Sequence, residues 1–295
     1  MIRYKVSHTT TYDYDAPVAV CQNIVYLTPR STPYQNCTYH RLTVRPTPTS
    51  PHRRTDYFGN TASLFSLSTG HRKLQITANS TVEMIERDLP AMGTPMPWEA
   101  VREILPLQRT EEGLADYQFC FPSTRVPNLP ELEAYGRLSF TTGRPIIQAL
   151  RDLTHRINTD FKYDATATNV NTPIAQAFSQ KRGVCQDFAH VMIGCLRPLG
   201  LAARYVSGYL RTHRAADQPR LVGADASHAW VSLYCGALGW VDADPTNDLL
   251  PSAEHITVAW GRDFGDVCPV AGMFVGGGSH RLTVAVDVTP SEQAP

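Results

Sequence analysis

The stretch Lys181-Arg182-Gly183-Val184-Cys185-Gln186-Asp187-Phe188-Ala189-His190-Val191-Met192-Ile193-Gly194-Cys195-Leu196 decides how this chain is read. Phe188, Val191, Met192, Cys195 and Leu196 recur at helical spacing and predict a helix over 184–196. Pro198 and Gly200 stop it. Cys185 falls in the first helical turn, where unpaired N–H groups and the helix dipole favour negative charge. Lys181 and Arg182 add positive charge just upstream. A thiolate is therefore favoured at Cys185, and a thiolate is a usable nucleophile near neutral pH. Gly183 reads as the residue that admits a sharp turn into the helix through its backbone freedom. Asp187 reads as a helix-start residue. Cys195, on the apolar stripe, reads as a small buried hydrophobe. His190 lies off the Cys185 face and reads as a packed or hydrogen-bonded residue.

Downstream, Leu201 to Leu210 reads as a strand. Ala229, Val231, Leu233 and Cys235 alternate with His228, Trp230, Ser232 and Tyr234, the pattern of a half-buried strand. Gly236 to Gly239 makes a turn, and Trp240 to Asp244 starts the return strand. Folding about that turn puts Asp244 opposite Trp230 or Val231, two or three ladder positions from His228. A carboxylate there can reach the imidazole, fix its tautomer and stabilise its cation. The imidazole can hold Cys185 as a thiolate and protonate a leaving group. Asp242 shares that strand face, so spacing leaves Asp242 and Asp244 both open. An oxyanion hole needs the Cys185 N–H and a second donor. Gln176, Gln180 and Gln186 are candidates that sequence does not separate.

Upstream, the first ninety or so residues are β-rich. Arg3–Tyr14, Asn23–Leu27, Tyr39–Val44, Ala62–Leu67 and the run from Lys73 to Ile85 read as strands, with a turn at Asp56–Asn60. Short strands at this spacing suggest a small β-sandwich. Pro90 to Pro97 reads as a linker. Trp98–Leu105 reads as a short helix ended by Pro106, and Phe121–Pro130 as irregular. Ile146–Ile157 places Ile146, Ala149, Leu150, Leu153 and Ile157 on one helical face, and Pro173–Phe178 adds a turn or two. Thr212–Gln218 is a polar loop, and 262–274 reads as irregular. Gly276-Gly277-Gly278 reads as a flexible turn bordering the site, and 282–288 as a last strand. The fold class expected is α+β. A β-sandwich-like domain spans 1–95, a linker with a short helix 96–140, and a catalytic core 141–295.

Bulk properties narrow the function. The chain has 295 residues and a formal net charge of +0. That balance gives no reason to expect a nucleic-acid or anionic-membrane partner. No apolar run approaches twenty residues, so no membrane span is expected. The first residues do not read as a signal peptide. The 7 cysteines are scattered and odd in number, which argues for free thiols and a reducing, cytoplasmic setting. Cys185, His190, Cys195 and His228 are also possible metal ligands. Their helical offsets turn the helix-borne ligands apart, and no Cys-x-x-Cys is present, so no metal is expected. Tyr209, Trp230 and Trp240 read as sheet packing, with lining of a substrate groove as the competing role.

The ordered motifs carry a resemblance. Gly183–His190, Ala203-Arg204-Tyr205-Val206-Ser207-Gly208-Tyr209, Ser227-His228-Ala229-Trp230-Val231 and Gly239-Trp240-Val241-Asp242-Ala243-Asp244-Pro245-Thr246 resemble the core motifs of the transglutaminase-like superfamily. Thr9-Thr10-Thr11-Tyr12-Asp13-Tyr14, Leu27-Thr28-Pro29-Arg30 and Asp56-Tyr57-Phe58-Gly59-Asn60 resemble the β-rich region that precedes the core in bacterial members. The resemblance implies a papain-like core, a Cys-bearing helix packed on an antiparallel sheet that bears His and Asp. It implies that Cys185, His228 and Asp244 form a catalytic triad, Asp244 being the aspartate before Pro-Thr. It implies thiol acyl chemistry on a peptide, protein or small amide without a cofactor; no acidic cluster suggests calcium. Hydrolysis, as in a cysteine peptidase or amidase, is the leading expectation. Transfer to an amine, as in a transglutaminase, and a non-enzymatic interaction role on a degenerate catalytic fold are the alternatives.

Overall fold

A computed structural model of the chain describes residues 1–86, 96–211 and 226–291. The linker residues 90–95 and the polar loop at 212–218 lie outside the described residues. The N-terminal part comprises β1 (Ile2–Val25), β2 (Gln35–Arg45), β3 (His52–Thr55), β4 (Thr61–Leu67) and β5 (His71–Met84). Helices α1 (Trp98–Ile104), α2 (Glu111–Tyr117), α3 (Pro130–Arg137) and α4 (Ile146–Asp160) follow. Next come β6 (Lys162–Tyr163), α5 (Ile174–Gln180), β7 (Arg182–Gly183) and α6 (Cys185–Leu196). The chain then forms β8 (Ala203–Leu210), β9 (Ala226–Tyr234), β10 (Trp240–Ala243), β11 (His255–Gly261), β12 (Val270–Gly276) and β13 (His280–Ser291).

The N-terminal strands belong to one seven-stranded sheet rather than two facing ones. Its axis is β1, one strand where sequence suggests two. The register shifts between Asp13 and Val18 mark the joint, and Pro17, which has no N–H to give a ladder, sits there. Before the joint β1 pairs with β5 on one flank and β13 on the other. After it, β4 and β12 take those places. Residues 270–291, assigned by sequence to the catalytic core, are thus part of the N-terminal sheet. The glycine turn at 276–278 lies there too, with Gly277 N–H bonded to Pro17 O at 3.0 Å, and does not border the site. All three of its glycines have positive φ, which explains their identity.

A second sheet, ordered β10-β9-β8-β11, carries α6 on one face. Alternation decides which residues point to α6. Ala229, Val231 and Leu233 join Ala189, Val191, Met192 and Ile193 in the main core. Tyr4, Val6, Met84, Val286 and Val288 from the first sheet enter the same core, so the two sheets share it. A separate cluster around Val18, Leu74 and Ile76 holds the bent sheet together. The helices α2 and α3 were not apparent in the sequence; each is short, seven and eight residues, with few buried positions to set a period.

The two parts are also stitched at the outer edge of β11. The Gln35 amide donates to Thr257 O at 2.7 Å and accepts from Thr257 N–H at 2.8 Å. The Asn60 amide does the same to Trp260, at 2.8 and 3.0 Å. Two side chains thus supply the backbone partners a neighbouring strand would have given. Arg30, from the Leu27–Arg30 motif, bonds Asn60 Oδ1 and stacks on Trp260 at 3.5 Å.

Candidate active site

Cys185 is the first residue of α6, as spacing predicts. Val184 is the extended N-cap, and its N–H donates to Asp187 Oδ2 at 2.8 Å. Thr168 Oγ1 donates to the same oxygen at 2.7 Å. Asp187 is therefore the helix-start residue expected of it. The reason for Gly183 differs from the expectation. Its φ is not left-handed; the left-handed residue is Lys181, at φ 53. A Cβ on Gly183 would lie 2.4 Å from Asp187 Oδ2, so the position needs glycine for close approach. Lys181 does not reinforce Cys185 either. Its ammonium sits over the rings of Tyr135, Phe161 and Phe178, at 4.4, 4.3 and 4.4 Å. Arg182 is exposed and points to Asp164 at 3.9 Å.

The β9–β10 register pairs Val231 with Ala243, so Asp244 follows opposite Trp230. His228 Nε2 donates to Asp244 Oδ2 at 2.7 Å. The Cys185 side chain lies near enough to the same imidazole for its charge to act on it. With Nε2 committed to Asp244, Nδ1 is the nitrogen left for the sulfur. The three sequence-predicted residues are therefore brought together from α6, β9 and the end of β10. Burial by itself would lower the His228 pKa. The hydrogen bond to Asp244, the nearby Cys185 sulfur and the negative charge of both outweigh it and raise the value to about 10.

Asp244 is fully buried. Burial would raise its pKa, but the bonds from His228 and His255 and the positive charge of His228 hold it well below the usual carboxylate range. Oδ1 also accepts from the N–H groups of Thr246 and Asn247 at 2.9 and 3.3 Å. Oδ2 accepts from Asn247 Nδ2 at 2.7 Å and from His255 Nε2 at 3.0 Å. Asp242, the competing carboxylate, is buried as well but lines a separate cavity of about 470 Å³ with Arg204, Trp240 and Trp260. Arg204 stacks between those two rings, at 4.1 and 3.7 Å.

His255 and Asn247 were missed in the sequence. The run His255-Ile256-Thr257-Val258-Ala259-Trp260 is apolar and β-branched, and that signal could have shown the strand carrying His255. His228, Asp244 and His255 place their ligand atoms within 4.8 Å of one another, a set a metal ion could use. Their spacing is that of N–H···O bonds, 2.7 and 3.0 Å. A tetrahedral ion with bonds near 2.0 Å would hold such ligands about 3.3 Å apart. The donor set suits a metal; the spacing suits protons.

The other residues singled out fall into packing roles. His190 is buried, packs at a tilt against Tyr205 and accepts from the Phe264 N–H at 3.2 Å. Burial lowers its pKa to about 4, in keeping with a bare Nε2. Cys195 is buried, and all seven cysteines are free thiols. Tyr209 is buried and bonds His8 Nδ1 at 3.1 Å, and Trp230 is fully buried. Trp240 lines the separate cavity. Gln176 and Gln180 are exposed on α5, and Gln186 is half-buried beside Cys185. None of the three makes a side-chain hydrogen bond among the described residues.

Two family models match the chain. Residues 4–83 match the bacterial transglutaminase-like N-terminal region, and residues 138–245 match the transglutaminase-like superfamily. Uncharacterized protein Rv2569c of Mycobacterium tuberculosis is 38% identical over 98% of this chain and 93% of its own length. The chain belongs to the transglutaminase-like superfamily. Among solved structures, a "putative cysteine protease" from Cytophaga hutchinsonii matches this transglutaminase-like chain with a TM-score of 0.79. That match has 19% identity and covers 99% of this chain and 92% of that one. It establishes the fold. A protein-glutamine gamma-glutamyltransferase of Pseudomonas aeruginosa is 35% identical over 25% of this chain and 11% of its own length. Among the described residues, no helix is long and apolar enough to cross a membrane.

Proposed function

We propose that the chain is a thiol hydrolase acting on an amide or peptide bond, with Cys185, His228 and Asp244 as its triad. The observation that carries this reading is the buried His228–Asp244 pair at 2.7 Å beside the half-buried Cys185 at the start of α6. A thiolate at Cys185 attacks the carbonyl carbon, and the developing oxyanion takes the N–H of the helix start. His228, charged at neutral pH, gives its proton to the leaving amine and the C–N bond breaks. A thioester remains on Cys185. Water, deprotonated by His228, attacks it, releases the carboxylic acid and restores the thiol. Asp244 keeps the imidazole in the tautomer and orientation both steps need. An amine in place of water would make the same intermediate a transglutaminase product. The N-terminal module, locked to β11, is proposed to position the substrate.

The test is alkylation of Cys185 by iodoacetamide across pH, followed by mass spectrometry, in the wild type and in His228→Ala. Fast labelling well below pH 8 that is lost in the variant is the expected result. Labelling no faster than in the denatured chain, at a site shown to be accessible, would sink the reading. Single turnover with a peptide amide, with and without added amine, then separates water from amine as acceptor.

A further inference from the structure

The carboxylate at the back of this site carries two imidazoles. His228 and His255 both address Asp244 Oδ2, at 2.7 and 3.0 Å, from β9 and β11. His255 is 2% exposed and packs edge-on against Trp230 at 5.2 Å. Its Nδ1 is buried and has no hydrogen-bond partner among the described residues. A buried ring nitrogen carrying a proton without an acceptor is costly. The geometry therefore selects the tautomer with the proton on Nε2, where it donates to Asp244. Oδ2 then accepts three donors in all, counting Asn247 Nδ2 at 2.7 Å.

Three donors on one oxygen divide its accepting capacity. Each bond from His255 or Asn247 weakens what Asp244 can offer His228. Together with the Thr246 and Asn247 N–H groups on Oδ1, they fix the carboxylate plane. The strand that brings His255 here is itself held from outside by the Gln35 and Asn60 amides.

We propose that His255 is a positioning residue that orients Asp244 and limits how strongly it holds the His228 cation. This rests on the triad reading above and deepens it. The titratable groups that face His228 are Asp244 from the end of β10, His255 from β11 and Cys185 from α6; Trp230 on its own strand does not titrate. Removing the His255 donor leaves Asp244 a stronger acceptor for His228. The imidazolium then persists to higher pH.

The experiment uses the full chain with ¹⁵N-labelled histidine and long-range proton–nitrogen spectra across pH. Three samples are compared: wild type, His255→Leu and His255→Gln, the last keeping an N–H donor at about the place of Nε2. The wild type should show His255 protonated at Nε2 with a bare Nδ1. His255→Leu should move the His228 midpoint up by roughly one pH unit. His255→Gln should bring it most of the way back. A purely structural role would lower stability in both variants and leave the midpoint alone, and that result would overturn the proposal. So would a wild-type His255 with its proton on Nδ1, which decides the matter even if His255→Leu does not fold. Iodoacetamide labelling of the same samples separates the two layers of argument. Fast, His228-dependent labelling with an unmoved midpoint defeats only the role of His255. Slow labelling in the wild type defeats the triad reading beneath it.

Discussion

Replacing Gly183 with alanine tests the local geometry that sets Cys185. The new Cβ would stand 2.4 Å from Asp187 Oδ2 and 2.9 Å from Asp187 Cβ and Cγ. Something must shift, and Asp187 is 4% exposed, so it has no solvent to swing into. Two bonds to its carboxylate are at stake, from Val184 N–H at 2.8 Å and from Thr168 Oγ1 at 2.7 Å. Overpacking of this kind costs about 1–3 kcal/mol, and a lost helix cap adds about 1 kcal/mol. Gly→Ala also narrows the unfolded ensemble and returns about 0.5 kcal/mol. The net expectation is a loss of about 1.5–3.5 kcal/mol. Denaturant unfolding measures it as a lower midpoint at unchanged slope. Slower alkylation of Cys185 should accompany it, because the shift falls on the turn that aims the sulfur. The decisive comparison is a double-mutant cycle. In an Asp187→Gly background all three of those Asp187 contacts are gone, and Gly183→Ala should cost nothing or stabilise slightly. If Gly183→Ala costs the same in both backgrounds, backbone conformation and not close approach is the reason for glycine, and the argument fails.

Three further outcomes are expected. Asp244→Asn should slow His228-dependent labelling of Cys185 by about a hundredfold or more, because an amide cannot stabilise the imidazolium as a carboxylate does, while Asp242→Asn should change it by less than about twofold. Equal effects of the two would contradict the geometry. Gln35→Leu should cost about 1–3 kcal/mol in an unfolding titration, since it leaves the buried Thr257 N–H without its partner at 2.8 Å and removes the 2.7 Å donor from Thr257 O, which keeps the Arg30 N–H at 3.2 Å; a loss below about 0.5 kcal/mol would mean that the clamp is idle. Acid should destabilise the fold through His8 and His190, both lowered from 6.5 to about 4 chiefly by burial. The sign follows from proton uptake: below pH 6.5 the unfolded chain gains protons that the folded chain refuses until about pH 4. Stability is therefore full above that window and falls within it, by on the order of 3 kcal/mol for each histidine. Unfolding titrations on wild type and His8→Gln, from pH 7 down to 4, check this; parallel curves would refute the assignment to His8.

Much of the site was legible in the chain because its parts are local. The stripe Phe188, Val191, Met192, Cys195, Leu196 defines α6 and its start, so Cys185 at a helix N-terminus follows from spacing alone. The alternation through His228–Cys235 and the Gly236–Gly239 turn define a hairpin, so Asp244 near Trp230 follows from counting ladder positions. Those are properties of a periodic backbone and need no partner. What sequence could not decide involves contacts between segments far apart in the chain. Asp242 and Asp244 share a strand face, so spacing left both open; the resemblance named Asp244, and the bonds of Asp244 to His228, Thr246 and Asn247 give the physical difference. His255 reaches the site on a strand whose outer edge is completed by Gln35 and Asn60, about two hundred residues away. The final strand looks like part of the catalytic core in the sequence. It pairs instead with β1, because that long strand leaves one flank open and the hairpin 270–291 has the length to fill it. Gly183 shows the same division within a single residue. A glycine before a helix suggests backbone freedom, yet its reason is the carboxylate of Asp187 packed where a side chain would stand. Local periodicity thus fixed the elements and the residues they carry. Only packing decided which hydrogen-bonding groups meet.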